Sequence, residues 1–223
     1  MPPPFHQVVQ ILEKHFGRPK PPITTDPFEL ILYDNVAYLA TDEERRRAFM
    51  ALRERVGTKP GCISAASGED LLAVTRQGRG FAAQCADKLR RADHIVLRDF
   101  QGNLKKVLRL PLREARKALQ KFPGFGEPGA EKILLFTGSH PVLALDSNGL
   151  RVLRRLGFGE EAKNYAATYR SVQNELKDQT VGDCGTLIRA HQLLRSHGQQ
   201  LCKLNKPRCG DCPLHHVCVS GTS

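Results

Sequence analysis

The C-terminal stretch CKLNKPRCGDCPLHHVC places Cys202, Cys209, Cys212 and Cys218 in the spacing C-x6-C-x2-C-x5-C. Four thiols so near one another in sequence call for an oxidised framework or a shared metal centre. The opening residues MPPPFHQVVQILEKHFG have a polar, charged helical pattern. They lack the apolar run of a signal peptide, so a cytoplasmic location is expected. Cytosolic thiols stay reduced, and clustered cysteines there bind metal more often than they form disulfides. The other three cysteines, Cys62, Cys85 and Cys184, are scattered among apolar or helical residues and read as buried small hydrophobes.

Upstream of the cysteines, the apolar residues recur at the helical period. FHQVVQILEKHFG puts Val8, Ile11, Leu12 and Phe16 on one face and stops at Gly17. GRPKPPITTDP reads as a stiff linker. DPFELILYDNVAYLA starts with a cap-like Asp26 and with Pro27 in the first turn, and predicts an apolar helix. TDEERRRAFMALRERVG has a Thr41 cap, acids in its first turn and a stop at Gly57. GEDLLAVTRQG and GFAAQCADKLRRADHIVLRDF continue the pattern, and no strand ladder is evident. The expected class is all-α. No run of about 18 apolar residues occurs, so no membrane span is predicted.

The chain carries 34 Lys and Arg against 23 Asp and Glu, a net charge of +11, which favours a polyanionic partner, nucleic acid first. The densest basic stretch runs from Lys88 to Lys121, with eleven Lys and Arg against three acids. It reads as a solvated helical face or as a flank for a DNA backbone.

In LREARKALQKFPGFGEPGAEKILLF a helix from about Leu112 to Lys121 runs into Phe122-Pro123-Gly124-Phe125-Gly126, and a second helix starts near Gly129. Two glycines around one apolar residue permit a sharp turn and a close approach. Outward backbone N–H groups beside a helix N-terminus suit a phosphate.

FPGFGEPGA resembles the helix-hairpin-helix of the base-excision DNA glycosylases. VLALDSNGLRVLRRLG resembles the aspartate and the Arg-Val…Arg helix that complete that motif, and the cysteine spacing is that of the cluster loop in the endonuclease III branch. The likeness runs from roughly Asp26 to Cys218. It implies a [4Fe-4S] cluster held by Cys202, Cys209, Cys212 and Cys218, with Lys203, Lys206 and Arg208 contacting the DNA backbone from the loop. A Zn(Cys)4 site is the alternative, but its short paired knuckles fit a C-x6-C arm poorly. The resemblance places Asp146 at the catalytic aspartate; read alone, Asp146 is a helix N-cap, and the two roles are compatible. A target base inside a duplex must be flipped out. Phe81 resembles the wedge position and Leu39 the residue that fills the vacated space, although both also read as core residues.

The sequence departs from the family at Pro128, which takes the position of the lysine that attacks the sugar in strand-nicking members. Lys132 and Lys121 do not match the motif. The adenine-excising relatives use an early glutamate, near Asn35 here, with Asp34 adjacent as a candidate second carboxylate. Asp34 reads equally as the partner of an arginine among Arg45 to Arg47.

The resulting expectation is two helical lobes. One spans 26–137 and ends in the hairpin, with Gly124, Phe125, Gly126 and Gly129 on DNA. The other combines 1–25 with 138–223 and carries the cluster loop, 202–218. The expected activity is excision of a damaged or mismatched base from double-stranded DNA by a monomeric, monofunctional glycosylase, nucleoid-associated if bacterial. A non-catalytic DNA-binding homologue, or a lyase using another lysine, stands beside it.

Overall fold

The computed structural model describes residues 1–78 and 80–220. It is all-helical, with no strand among the described residues. None of its helices is long and apolar enough to cross a membrane. The chain divides into two compact units, Ile23–Gly126, and Met1–Pro22 together with Glu127–Ser223. α1 (Phe5–Phe16) belongs to the latter and buries Phe5, Val8 and Leu12.

The Ile23–Gly126 unit begins with α2 (Pro27–Asn35). Its start follows the sequence rule: Asp26 accepts the Phe28 and Glu29 N–H groups at 3.0 Å, and Pro27 takes the first turn, where no N–H is needed. Its end is earlier than the apolar run predicts. The buried Asn35 side chain donates back to the Ile31 carbonyl at 3.0 Å, offering the backbone an alternative to the helical ladder. Residues 36–41 then form a connection that leaves Thr41 extended to cap α3 (Asp42–Arg55). That cap is a full capping box, with Thr41 Oγ1 accepting from Glu44 N–H at 3.2 Å and Glu44 accepting from Thr41 N–H at 2.8 Å. Gly57 ends α3 at a φ of 93°, as its stop signal implies.

α4 (Cys62–Ala65), α5 (Gly68–Thr75) and α6 (Ala82–Phe100) complete the bundle. Leu71, Val74, Leu89 and Val96 join Phe28, Ile31, Phe49 and Leu52 in the core. The fully buried Asp93 accepts from the N–H groups of Gly61 and Ser64 at 2.8 Å, so a carboxylate in the long helix caps the short one. Cys85 is buried as expected, but Cys62 and Cys184 are only half-buried, because each opens a helix rather than facing a core. α7 (Leu112–Leu119) leads into the hairpin.

In the other unit, α8 (Glu127–Phe136) starts two residues before the predicted point, because Pro128 is tolerated in a first turn. α9 (Ser147–Arg155), α10 (Tyr165–Leu176) and α11 (Cys184–Gln200) follow. α9 and α11 approach so closely that a Cβ on Gly198 would lie 2.7 Å from Asn148 Cβ and 2.8 Å from its carbonyl oxygen. Only glycine fits there. In the core, Tyr169 OH donates to the buried Glu131, and Gln173 donates to Tyr169 OH at 2.8 Å.

Candidate functional site

Asp146 is the N-cap of α9, with Oδ1 accepting from Gly149 N–H at 2.8 Å. Its Oδ2 accepts from Asn148 Nδ2 at 3.2 Å and is ion-paired with Arg195 of α11. The side chain keeps about a fifth of its surface open. Burial pushes the carboxyl up, but Arg195, His191, the Gly149 N–H and the Asn148 amide outweigh it, and the net pKa falls to about 2. His191 is buried and lowered by that burial, with Nδ1 2.7 Å from the Ala144 carbonyl. Tyr165 is pushed up to about 12 by burial and by the Asp146 charge. The result is a carboxylate fixed in place, ionised across the whole working pH range and still reachable from solvent.

The sequence reading found Asp146 but missed Arg195, His191, Asn148 and Tyr165. Asn148 was within reach of a spacing argument, since it lies two residues from the cap. Arg195 is 49 residues away and carries no local signal.

The C-terminal face of the same helix receives the cysteine loop. Arg151 Nε donates to the Cys202 carbonyl at 2.9 Å, while its Nη2 donates to Asn148 Oδ1 and to the Gly198 carbonyl, each at 2.8 Å. Arg155 Nη1 lies 3.3 Å from Cys202 Sγ and donates to the Lys203 carbonyl at 2.7 Å. Its own carbonyl accepts from Cys218 Sγ at 3.4 Å and from the Ser220 hydroxyl at 2.9 Å. His197 Nε2 stands 3.6 Å from Cys212 Sγ. Burial and then His15 hold His197 down at about 4, so it is neutral.

Cys202, Cys209, Cys212 and Cys218 line one cavity of about 110 Å3, closed by Val152, Leu156 and Leu201. Burial pushes the Cys212 thiol up, and the three neighbouring thiols push in the same direction. Among the described residues, no three thiol, imidazole or carboxylate groups converge on a point as a single ion requires. The thiols instead surround a space with apolar walls. That donor set and that space fit a polynuclear cluster. On the loop, Lys203 and Lys206 are exposed, and Arg208 pairs with Asp211 at 2.8 Å.

The Ile23–Gly126 unit presents a different surface. Leu39 and Phe81 are 68% and 50% exposed, which overturns the core alternative for both. Both hold left-handed backbone, with φ of 52° and 57°, a conformation that costs a non-glycine residue about 1–2 kcal/mol. Tyr38, also exposed, packs edge-on against Phe81 at 5.4 Å, with Lys88 Nζ 5.0 Å above the Tyr38 ring. Strain in exposed apolar residues serves no packing purpose and marks a candidate contact surface.

In the hairpin Gly124 uses a φ of 81°, facing Asn35 Oδ1, while Gly126 stays out of the left-handed region. Phe125 is buried, and its N–H donates to the Phe122 carbonyl at 3.2 Å. The outward N–H groups expected of the turn therefore do not include that of Phe125. Gly129 lies inside the first turn of α8, where N–H groups have no helical partner. Lys105, Lys106, Arg109, Arg113 and Lys117 are exposed around this segment.

Asp34 is half-buried and pairs with Arg45 at 3.9 Å, with the Arg45 guanidinium 5.9 Å from the Tyr33 ring. This is the arginine-partner alternative. Lys121 is held by Asp99 at 3.2 Å, and Lys132 Nζ lies 5.8 Å from the Phe136 ring.

The Rickettsia conorii endonuclease III is 35% identical over 102 residues, 46% of this chain and 45% of that protein. At that identity the chain spans less than half the length of the relative. The Escherichia coli K12 endonuclease III is 25% identical over 194 residues, 87% of this chain and 84% of that protein. An endonuclease III solved in a non-covalent complex with DNA superposes with a TM-score of 0.75 at 22% identity, over 97% of this chain and 94% of that one. The chain is thus similar in sequence to endonucleases III along most of its length, and it shares the fold of a helix-hairpin-helix DNA glycosylase. No single family model matches it.

Proposed function

We propose that this protein is a DNA repair glycosylase that removes a damaged or mismatched base from double-stranded DNA without cutting the strand. The observation that carries the reading is Asp146, ionised, immobilised and partly open at the start of α9. Breaking an N-glycosidic bond develops positive charge on the sugar, and a fixed carboxylate beside the ring stabilises it. A carboxyl with a pKa near 2 is a weak base, so Asp146 acts as a fixed charge and as an orienter of water. Pro128 supplies no amine, and Lys121 is engaged in an ion pair with Asp99, which supports hydrolysis by water over a Schiff base.

Leu39 and Phe81, with Tyr38, would enter the gap left by the flipped base, since aromatic and aliphatic side chains fill space and stack. Gly124, Gly126 and Gly129 would bring backbone against a phosphate, with Lys203, Lys206 and Arg208 adding charge from the loop. Cys202, Cys209, Cys212 and Cys218 would hold a [4Fe-4S] cluster, a reading supported by four thiols lining one cavity. When bound, the cluster orders the basic loop.

The test is a panel of duplexes carrying oxidised, alkylated, deaminated and mismatched bases, each product read with and without alkali beside Asp146→Asn. Alkali-dependent breaks that the variant loses are the expected result. Breaks without alkali would reinstate a lysine nucleophile. Salt-sensitive binding with no base release from any duplex would make the protein a non-catalytic DNA binder.

A further inference from the structure

Asp146 reaches its low pKa by an unusual route for a helix cap. A capping carboxylate normally rests on backbone N–H groups alone. Here Oδ2 also meets a guanidinium from a second helix, Arg195, in a pair that leaves about a fifth of each side chain open. The approach is built in. Gly198 is one turn beyond Arg195 on α11, and its missing side chain lets α9 and α11 touch. A carboxylate offers about four lone-pair positions. Gly149 N–H, Asn148 Nδ2 and Arg195 Nη1 approach both oxygens from different directions, so the carboxylate is held against rotation.

We propose that Arg195 is the positioning residue of this site, clamping Asp146 in one orientation and keeping it charged while a polyanion is docked beside it. The inference rests on the glycosylase reading. A bound duplex brings a dense row of phosphates near the carboxylate, and a like-charge neighbourhood favours proton uptake. A neutral, protonated Asp146 would have no charge to offer the sugar. Other groups acting on it are weaker guards. His191 is pushed towards neutrality by burial, and Lys132 of α8 acts on His191 and adds to that push. Tyr165 of α10 is neutral, with its ionisation suppressed by Asp146 itself. Arg151 of α9 is committed to Asn148, Gly198 and Cys202. Arg195 is the cation bonded directly to the carboxylate.

Two readouts on Arg195→Leu and Arg195→Lys test the proposal, each variant being checked first by thermal melting. The first is the carboxyl 13C titration of Asp146 without DNA, assigned by its loss in Asp146→Asn. Arg195→Leu should move the midpoint from about 2 up into the ordinary carboxylate range, and Arg195→Lys should return it most of the way. The sign follows from the depressed folded value: stability from the pair is present above the unfolded carboxylate pKa and is lost as pH falls towards 2. The second readout is single-turnover base release against pH, on the duplex that the lesion panel identifies. In Arg195→Leu the rate at neutral pH should fall about tenfold to a hundredfold. Its acid limb should climb, more at low salt than at high salt. A loss of packing alone would not move the acid limb. An unmoved midpoint, an unmoved acid limb, or a rate above that of the unaltered protein overturns the proposal. If no duplex loses a base, the glycosylase reading fails, and the titration still decides whether Arg195 holds the charge on Asp146.

Discussion

Asp146 and Leu39 sit in opposite kinds of surroundings. Three donors from two helices hold Asp146, and its cap begins the helix that seats the cysteine loop. Leu39 is on a connection, two-thirds exposed, in a backbone region its side chain disfavours. Around Asp146 the fold and the proposed chemistry use the same bonds. Around Leu39 and Phe81 the fold gains nothing from side chains it must strain to display. Chemistry in which positions are fixed before substrate arrives is matched by the first arrangement. Insertion into something that opens is matched by the second.

The contrast is open to direct attack. The largest effect is expected at Gly198→Ala. Its Cβ would press on Asn148 backbone, α9 would have to shift, and stability should fall by roughly 2 kcal/mol or more. Urea unfolding measures the loss, and base release should fall with it because Arg195 and Asp146 separate. A variant that unfolds normally would mean the two helices have slack and Asp146 is less rigidly held than argued.

Leu39→Gly and Phe81→Gly should behave in the opposite way. Relief of the left-handed strain offsets the flexibility of glycine, so stability should stay within about 1 kcal/mol of the starting value. Base release should nevertheless drop. Equal activity with unchanged stability would remove these residues from the proposed function and leave the strain unexplained.

The smallest effect is expected at Asp34→Asn. The pair with Arg45 is long, at 3.9 Å, and base release should be retained. Complete loss of base release in a well-folded Asp34→Asn would make Asp34 a second catalytic carboxylate and spread the chemistry beyond the α9 corner.

Features encoded within a few residues were legible in the sequence. The Asp26–Pro27 start, the Thr41 cap, the Gly57 stop and the Asp146 cap each depend on neighbours a few positions away. Helical class followed from apolar spacing, and the resemblance to endonuclease III from the hairpin and cysteine spacings. What was not legible depends on tertiary approach. Arg195 meets Asp146 because Gly198 clears the way, and nothing near Arg195 in the sequence says so. The early end of α2 depends on one side chain, Asn35, turning back on its own helix. A helix continuing through Ala40 would have given Leu39 ordinary helical backbone in place of its φ of 52°.

The double employment of Asp146 has a historical consequence. Asparagine, serine and threonine also cap helices well, whereas alanine or valine at the same place would loosen the start of α9. A descendant of this chain that kept the fold without the proposed base excision would therefore drift towards that short list of capping residues. The residue found at this one position would then record whether a lineage still earns its living by chemistry or has retired to binding alone.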